Sequence, residues 1–230
     1  MTRYVTATVN LLRPDCEDGR VRRALAMGLA LVAALATACG GGGRPAGDAS
    51  PVALHGASPD TPQPRPEFRL VDTSGAAYDF GAETHGKLTL LYAGYTHCPD
   101  ECPTAMADVA AALRQVAPTV AQQVQVVFVT TDPWRDNKAV LRRWLDKFHP
   151  PRAYVGLTGT PTQVAAAEVA MGMPIATRQP VPKSYGSGKY SVSHFAGVLV
   201  YGRDDRLKTL YPSGVAPSDM AADLEVLVKG

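Results

Sequence analysis

Two nearly uninterrupted apolar runs, LTLLYAGY (Leu88 to Tyr95) and VQVVFVTTD (Val124 to Asp132), stand out from a chain that elsewhere mixes apolar and polar positions. Runs of this length without alternation suit strands covered on both faces. Between them Met106, Val109, Ala110, Leu113 and Val116 recur at three- and four-residue steps, the period of a helix with one buried face. Val140, Leu141, Trp144, Leu145 and Phe148 repeat the pattern, with Asp136 placed to cap that helix. RAYVGLTG predicts a third strand. TPTQ is a capping box with proline at the first helical position, and it opens the helix VAAAEVAMG. Upstream, FRLVD, the turn TSGAA and YDF form a short hairpin pattern. Downstream of a Gly-, Pro-, Ser- and Lys-rich loop (Pro174 to Ser193), HFAGVLVYG and LKTLYPSG flank the polar turn RDDR, and a last helix starts near Ser218. The order predicts an α/β fold: a central mixed β-sheet flanked by helices, with an N-terminal β-hairpin.

Before Phe68 this patterning is lost. VRRALAMGLALVAALATAC (Val21 to Cys39) has a basic start, an apolar run too short for a comfortable permanent span, and a small-residue end. It reads as a secretory signal whose end, Ala36-Thr37-Ala38-Cys39, resembles the lipobox of bacterial lipoproteins, with Cys39 as the lipidated residue. The residues before Val21, including Cys16, make an unusually long leader, and Val21 is a candidate true start. GGGGRPAGDASPVALHGASPDTPQPRP follows, rich in Gly, Pro, Ala and Ser and without period, as in a flexible tether. The expected organisation is a signal peptide with lipobox (1–39), a tether (40–66) and a folded domain (67–230). This places the domain on the extracytoplasmic face of a cell membrane, held by a lipid anchor.

The 230 residues allow one sizeable core, and the net charge of +2 with no long basic block argues against a nucleic-acid partner. With Cys16 and Cys39 in the leader, two of the four cysteines remain for the domain, in YAGYTHCPDECPTAM. Cys98 and Cys102 fall where a buried strand ends and a helix begins, and a helix N-terminus stabilises a thiolate. At i, i+4 the two side chains share one face, about 5–6 Å apart at Cβ, against the roughly 3.5–4.5 Å that a disulfide needs. The pair can be open, or closed as a Cys98–Cys102 disulfide, and local geometry imposes neither state. The spacing is one residue longer than a thioredoxin-type CxxC and does not fit the peroxiredoxin pattern. A zinc half-site would lack a second Cys pair, whereas two soft thiolates with one imidazole suit a three-coordinate Cu(I) centre.

Four segments in order resemble the Sco/SenC family of thioredoxin-fold copper proteins that serve cytochrome c oxidase assembly. They are GYTHCPDECPTAM, VVFVTTDPWRD, FHPPRAYVGLTGTPTQV and YSVSHFAGVLVYGRDDRLKTLYPSG. The resemblance implies a thioredoxin-like fold and metal ligands at Cys98, Cys102 and His194. It also implies an acidic residue near the site at Asp132, and one copper, Cu(I) or Cu(II), per chain. Ser193 stands where many members carry Asp immediately before the His.

The implied activity is that of a metallochaperone delivering copper to the binuclear copper site of cytochrome c oxidase subunit II. Implied partners are that subunit, an extracytoplasmic thiol reductase and another copper chaperone. The alternative is a thiol–disulfide oxidoreductase that reduces the cysteines of that site through the same redox pair, Cys98 and Cys102. His194 favours copper, because thiol exchange does not need it. The remaining candidates read as ordinary: His97 points away from its neighbour Cys98, while His55, His85 and His149 are solvated. Met171 and Met173 pack at a helix end, and Lys183 and Lys189 sit in solvent.

Overall fold

A computed structural model of the chain describes residues 53–182 and 189–230. The signal segment, Cys16, Cys39, the first part of the expected tether (40–52) and Lys183 lie outside the described residues. Among the described residues, no helix is long and apolar enough to cross a membrane.

A seven-stranded mixed sheet carries the fold. Its strands are β1 (Arg69–Asp72), β2 (Ala77–Asp79), β3 (Leu88–Gly94), β4 (Val124–Thr130), β5 (Val155–Thr158), β8 (Gly197–Tyr201) and β9 (Leu207–Pro212), in the order β2-β1-β5-β4-β3-β8-β9. The helices are α1 (Phe80–Thr84), α2 (Glu101–Gln115), α3 (Pro118–Ala121), α4 (Lys138–Asp146), α5 (Pro161–Ala170) and α6 (Pro217–Leu227). β3, β4 and β5 run parallel, joined by helical crossovers, and the two terminal hairpins pair antiparallel on either side. The two apolar runs of the sequence are β3 and β4, buried at every position.

Alternation along these central strands divides the core into two. Leu88, Leu90, Tyr92, Val126 and Phe128 meet Met106, Val109 and Leu113 of α2, Leu141 and Trp144 of α4 and Leu224 of α6. Leu91, Ala93, Val127 and Val129 face the other way, against Phe80, Val164 and Ala167. Each of these fully buried large side chains contributes about 1.5–3 kcal/mol of apolar burial, which fixes the register of β3 and hence the position of the Cys-bearing loop that follows it.

Three features depart from the sequence reading. The tether does not run to residue 66. The segment from His55 to Pro66 lies along the edge strand β9, where Ala57 and Leu210 exchange backbone hydrogen bonds of 2.8 Å and Pro64 bridges Arg206. Pairing of this kind covers an otherwise open sheet edge. Arg65 anchors the arm: it is buried, its Nε donates to Asp205 at 2.8 Å, and its Nη2 donates to the carbonyls of Lys87 and Gly202. The loop from Pro174 to Ser193 contains a second sheet, the hairpin β6 (Thr177–Pro180) and β7 (Tyr190–Ser193). Finally, Asn137 and not Asp136 caps α4, accepting from the Val140 N–H at 3.0 Å.

His55 is exposed, as expected, and also docks the arm on α6. Its backbone N–H and its Nδ1 both meet the buried carboxylate of Asp223, the latter at 2.7 Å, and Tyr211 donates to the other oxygen at 2.9 Å. The hydrogen bond to Asp223 raises the imidazole pKa, outweighing the opposing desolvation, with charge on Asp223 and Asp219 adding to it. A raised folded-state value means that the contact stabilises fully below the ordinary imidazole range, about 6.5, and fades as pH climbs through the raised value. Wild type should therefore melt above His55→Gln at pH 5.5, with the gap closing at alkaline pH; a pH-independent gap in Tm would exclude a charged contact.

Candidate metal centre

β3 ends at Gly94, and α2 begins seven residues later. Cys98 lies in the intervening turn and Cys102 in the first turn of the helix. The N-cap residue, Asp100, makes no side-chain capping bond. The Cys98 sulfur takes part of that role, accepting the Cys102 N–H at 3.4 Å. Gly94 explains how the helix can start this close to the strand: a Cβ on it would stand 2.7 Å from the Cys102 sulfur and 2.7 Å from Cε1 of Tyr92. Any other residue here would push the sulfur away.

The turn is held from below by Asp136. This fully buried carboxylate accepts from the Thr96 N–H (2.8 Å), the Thr96 hydroxyl (2.6 Å) and the Thr130 hydroxyl (2.7 Å). It thereby ties the Cys98 turn to the end of β4. Sequence reasoning placed Asp136 at a helix cap; the neighbouring Asn137 fills that role and frees Asp136 for this one.

His194 arrives from the end of β7, 92 residues beyond Cys102, with its Nε2 3.4 Å from the Cys102 sulfur. Its Nδ1 faces the Phe195 carbonyl at 2.9 Å. A carbonyl can only accept, so Nδ1 carries the proton and Nε2 keeps its lone pair for a ligand. The rings of Tyr92 and Tyr95 meet the imidazole edge-on at 6.2 and 5.5 Å. Ser193 does not orient the imidazole; its hydroxyl pairs with Thr177 across the hairpin at 2.8 Å.

Asp132 is buried near the site, yet its hydrogen bonds go to neither cysteine nor His194. It pairs with Arg135 and accepts from the Tyr190 hydroxyl at 2.8 Å. The Arg135 guanidinium lies 3.7 Å over the Tyr190 ring and 5.7 Å from that of Tyr95, and it donates to the Tyr190 carbonyl. On the far side, buried Glu168 accepts from the Ala176 N–H at 3.0 Å, just before β6. Asp132 thus clasps the hairpin that carries His194. Arg135, Tyr190 and Glu168 were not singled out by sequence reasoning, since nothing in their local pattern predicts a hairpin there.

Among the described residues one group could hold a metal: Cys98, Cys102 and His194, whose ligand atoms all lie within 4.8 Å of one another. Metal–ligand bonds of about 2.0–2.3 Å place the donors of one ion roughly 3.5–4 Å apart, a small side-chain adjustment from this geometry. Both cysteines are free thiols, so the structure shows the open form of the pair and not the disulfide. Their environments differ. Cys98 is half-buried and its pKa is strongly lowered, first by the Cys102 side chain, then, against burial, by His194 and the N–H groups of Cys102 and Asp100. Cys102 has no solvent exposure, and burial, followed by the hydrogen bond to Cys98 and then the Cys98 charge, pushes its pKa far up. Burial works against charge on His194, but the hydrogen bonds to Cys98 and Phe195 prevail and raise its pKa.

The other candidates fall as expected. His97 and His149 are exposed, and Met171 and Met173 pack in the core. His85 is exposed too, beside Asp205.

The SCO1/SenC family model matches residues 56–229. The chain belongs to the SCO1/SenC family. Among solved structures, copper-bound ScoI of Bradyrhizobium japonicum is 31% identical, with a TM-score of 0.63 over 72% of this chain and 99% of that one. Apo Sco1 of Thermus thermophilus is 32% identical, with a TM-score of 0.66 over 76% of this chain and 97% of that one. The fold is therefore the thioredoxin-like one expected, and the family boundary at residue 56 agrees with the docked arm. A relative from Stutzerimonas stutzeri is 33% identical over 62% of this chain. The human mitochondrial SCO2 homolog is 40% identical over 44% of it. These alignments span 66% and 37% of the respective relatives.

Gly94→Ala should retain the fold, since the rest of β3 is unchanged, but displace the Cys102 sulfur. Metal affinity in the full chain should fall at least about tenfold, in the range of changes that disturb ligand orientation. Unaltered affinity would show that the close approach at Gly94 is not needed.

Proposed function

We propose that the protein is a copper metallochaperone. Cys98, Cys102 and Nε2 of His194 hold one copper ion per chain and pass it to the binuclear copper site of cytochrome c oxidase subunit II. The observation that carries this reading is the convergence of His194 on the cysteine pair with Nε2 turned toward the sulfurs. Thiol–disulfide exchange can proceed without this imidazole, whereas two thiolates and an imidazole form a soft set suited to Cu(I). The copper-bound state of the similar ScoI structure supports it. Three ligands leave a coordination position open, so an acceptor thiolate can bind before a chaperone ligand leaves. Binding releases the thiol protons, and loading requires the reduced pair. An extracytoplasmic thiol reductase and a copper donor, another copper chaperone, are the partners this cycle needs.

The alternative, thiol–disulfide exchange, draws support from the asymmetry of the pair. Cys98 is accessible with its thiolate stabilised, and Cys102 is buried and protonated, the arrangement of an attacking and a resolving thiol. Cys98 sulfur would attack an acceptor disulfide, and Cys102 would displace the reduced acceptor by closing the Cys98–Cys102 bond.

The reduced full chain should bind one copper, and the oxidised chain almost none, because a disulfide removes two of three donors. His194→Ala should lower copper affinity at least about 100-fold while disulfide exchange survives with a modestly altered potential. Normal oxidase assembly by His194→Ala at limiting copper would defeat the chaperone reading in favour of the redox one.

The same reading places the domain at the extracytoplasmic face of the membrane through a lipid on Cys39. Mass spectrometry of membrane-extracted protein should find diacylated Cys39 as the mature N-terminus. Release by high salt alone would exclude the anchor.

A further inference from the structure

The segment that leads to His194 carries charge of one sign. Pro174 to Ser193 holds Arg178, Lys183 and Lys189 and no Asp or Glu, in a chain whose net charge is only +2. Arg178 and Lys189 are exposed, and among the described residues neither joins a salt bridge. Arg135 beside them is already met by Asp132. Past Pro99 the sign changes at Asp100 and Glu101, both exposed. Carboxylates approaching Cys98 are therefore drawn to the hairpin side.

The same side presents an aromatic surface. Trp134 is 52% exposed, and the Arg178 guanidinium lies 4.4 Å over its ring and 5.6 Å from that of Tyr190. Tyr190 is stacked in turn by Arg135, which reaches Tyr95. Ring and guanidinium thus alternate from an exposed tryptophan inward to Tyr95, whose carbonyl accepts the Cys98 N–H at 3.2 Å. A groove of about 290 Å³ opens along this column, lined by Tyr95, Tyr190, Arg135, Lys189 and by Pro99, the residue after Cys98. No carboxylate lines it. Trp, Tyr and Arg are the side chains that most often anchor a protein partner. Arg178, already laid flat on Trp134, loses little further freedom on binding.

We propose that Trp134, Arg178, Lys189 and Tyr190 form a docking surface for an acidic segment of the protein that exchanges with Cys98. Its carboxylates pair with Arg178 and Lys189, and one apolar side chain enters the groove between the aromatic rings and Pro99. The inference rests on Cys98 as the point of exchange, which the copper and the redox readings share. Charge complementarity of this kind acts mainly on the rate of encounter and on the choice of partner. An anionic lipid surface carries the same sign, but a membrane lying on this face would seal the sulfur that an exchange partner has to reach.

The test is binding of two synthetic peptides without cysteine to the full chain. One carries Asp and Glu around a single Phe, the other Lys at the same positions, and fluorescein anisotropy reads the affinity of each. At low salt the acidic peptide should bind about tenfold tighter than its basic counterpart, the scale of two exposed charge pairs acting with an aromatic anchor. Unlabelled acidic peptide should also shift Trp134 emission to shorter wavelength; the other tryptophan, Trp144, is 9% exposed. Arg178→Glu with Lys189→Glu should abolish the preference, and Trp134→Ala should weaken the acidic peptide at least about threefold. Arg206→Glu with Lys229→Glu makes the same change in net charge at exposed positions, Arg206 lying in the β8–β9 turn at the other end of the sheet from Cys98. That pair should leave the preference in place. Equal affinity for the two peptides, or an equal loss of preference in the Arg206 and Lys229 variant, overturns the proposal. So does a Trp134 shift on phosphatidylglycerol vesicles with none on the acidic peptide, which assigns the surface to lipid. Selective binding by a protein that takes up no copper keeps the surface and discards the copper reading, and copper uptake without selective binding does the reverse.

Discussion

The centre depends on one close approach, between the bare Cα of Gly94 and the sulfur of Cys102. Strand β3 is fixed by burial on both faces, so its end cannot yield. The first turn of α2 can descend onto that end because Gly94 has no side chain. Once it does, Cys102 is sealed from water and the Cys98 turn folds back over the helix N-terminus. His194 then reaches the two sulfurs from the hairpin. A strand end that held the sulfur a methyl's width away would leave three donors too dispersed for one ion.

Burial at this contact also makes the two cysteines unequal. A sulfur without water cannot readily carry charge, whereas one at the edge, facing backbone N–H groups and an imidazole, can. Sequence symmetry, each cysteine followed by proline, hides this difference completely. It arises from which thiol belongs to the helix and which to the turn before it.

The α/β order and the two central strands were legible in the sequence, because apolar runs and helical periods are local signals. Of the site, Cys98 and Cys102 stood out by their spacing, whereas His194 was singled out only through the resemblance of its segment to the Sco/SenC family; the structure brings the three side chains together. The β6–β7 hairpin was not legible, because β6 is exposed throughout and its polar residues carry no alternation toward a core. Its stability comes from tertiary contacts: Ser193 with Thr177, Arg135 stacked on Tyr190, and Glu168 holding Ala176. The docked arm was hidden for a related reason. Its Gly- and Pro-rich composition is that of a tether, and one buried arginine with a few backbone bridges converts it into part of the domain. At DPWRDN, two acids and an amide compete for one cap. Asn137 takes it, leaving Asp136 to hold the cysteine turn and Asp132 to clasp the hairpin, a division of labour set by three-dimensional neighbours.

Those neighbours bear on how a chaperone site of this shape would let go of its cargo. Cys102 is held by the strand, and His194 by a carbonyl on one nitrogen and a hairpin fastened at several points. Cys98 is the exception: it lies in a turn, half in contact with solvent, and its thiolate is stabilised by groups that remain after copper leaves. On the proposed reading it is the donor an acceptor can approach and the one whose departure costs least. The same exposure lets a thiol reductant reach the oxidised pair at Cys98. Loading, delivery and re-reduction then all proceed through one sulfur, while the buried face of the site keeps its geometry between cycles.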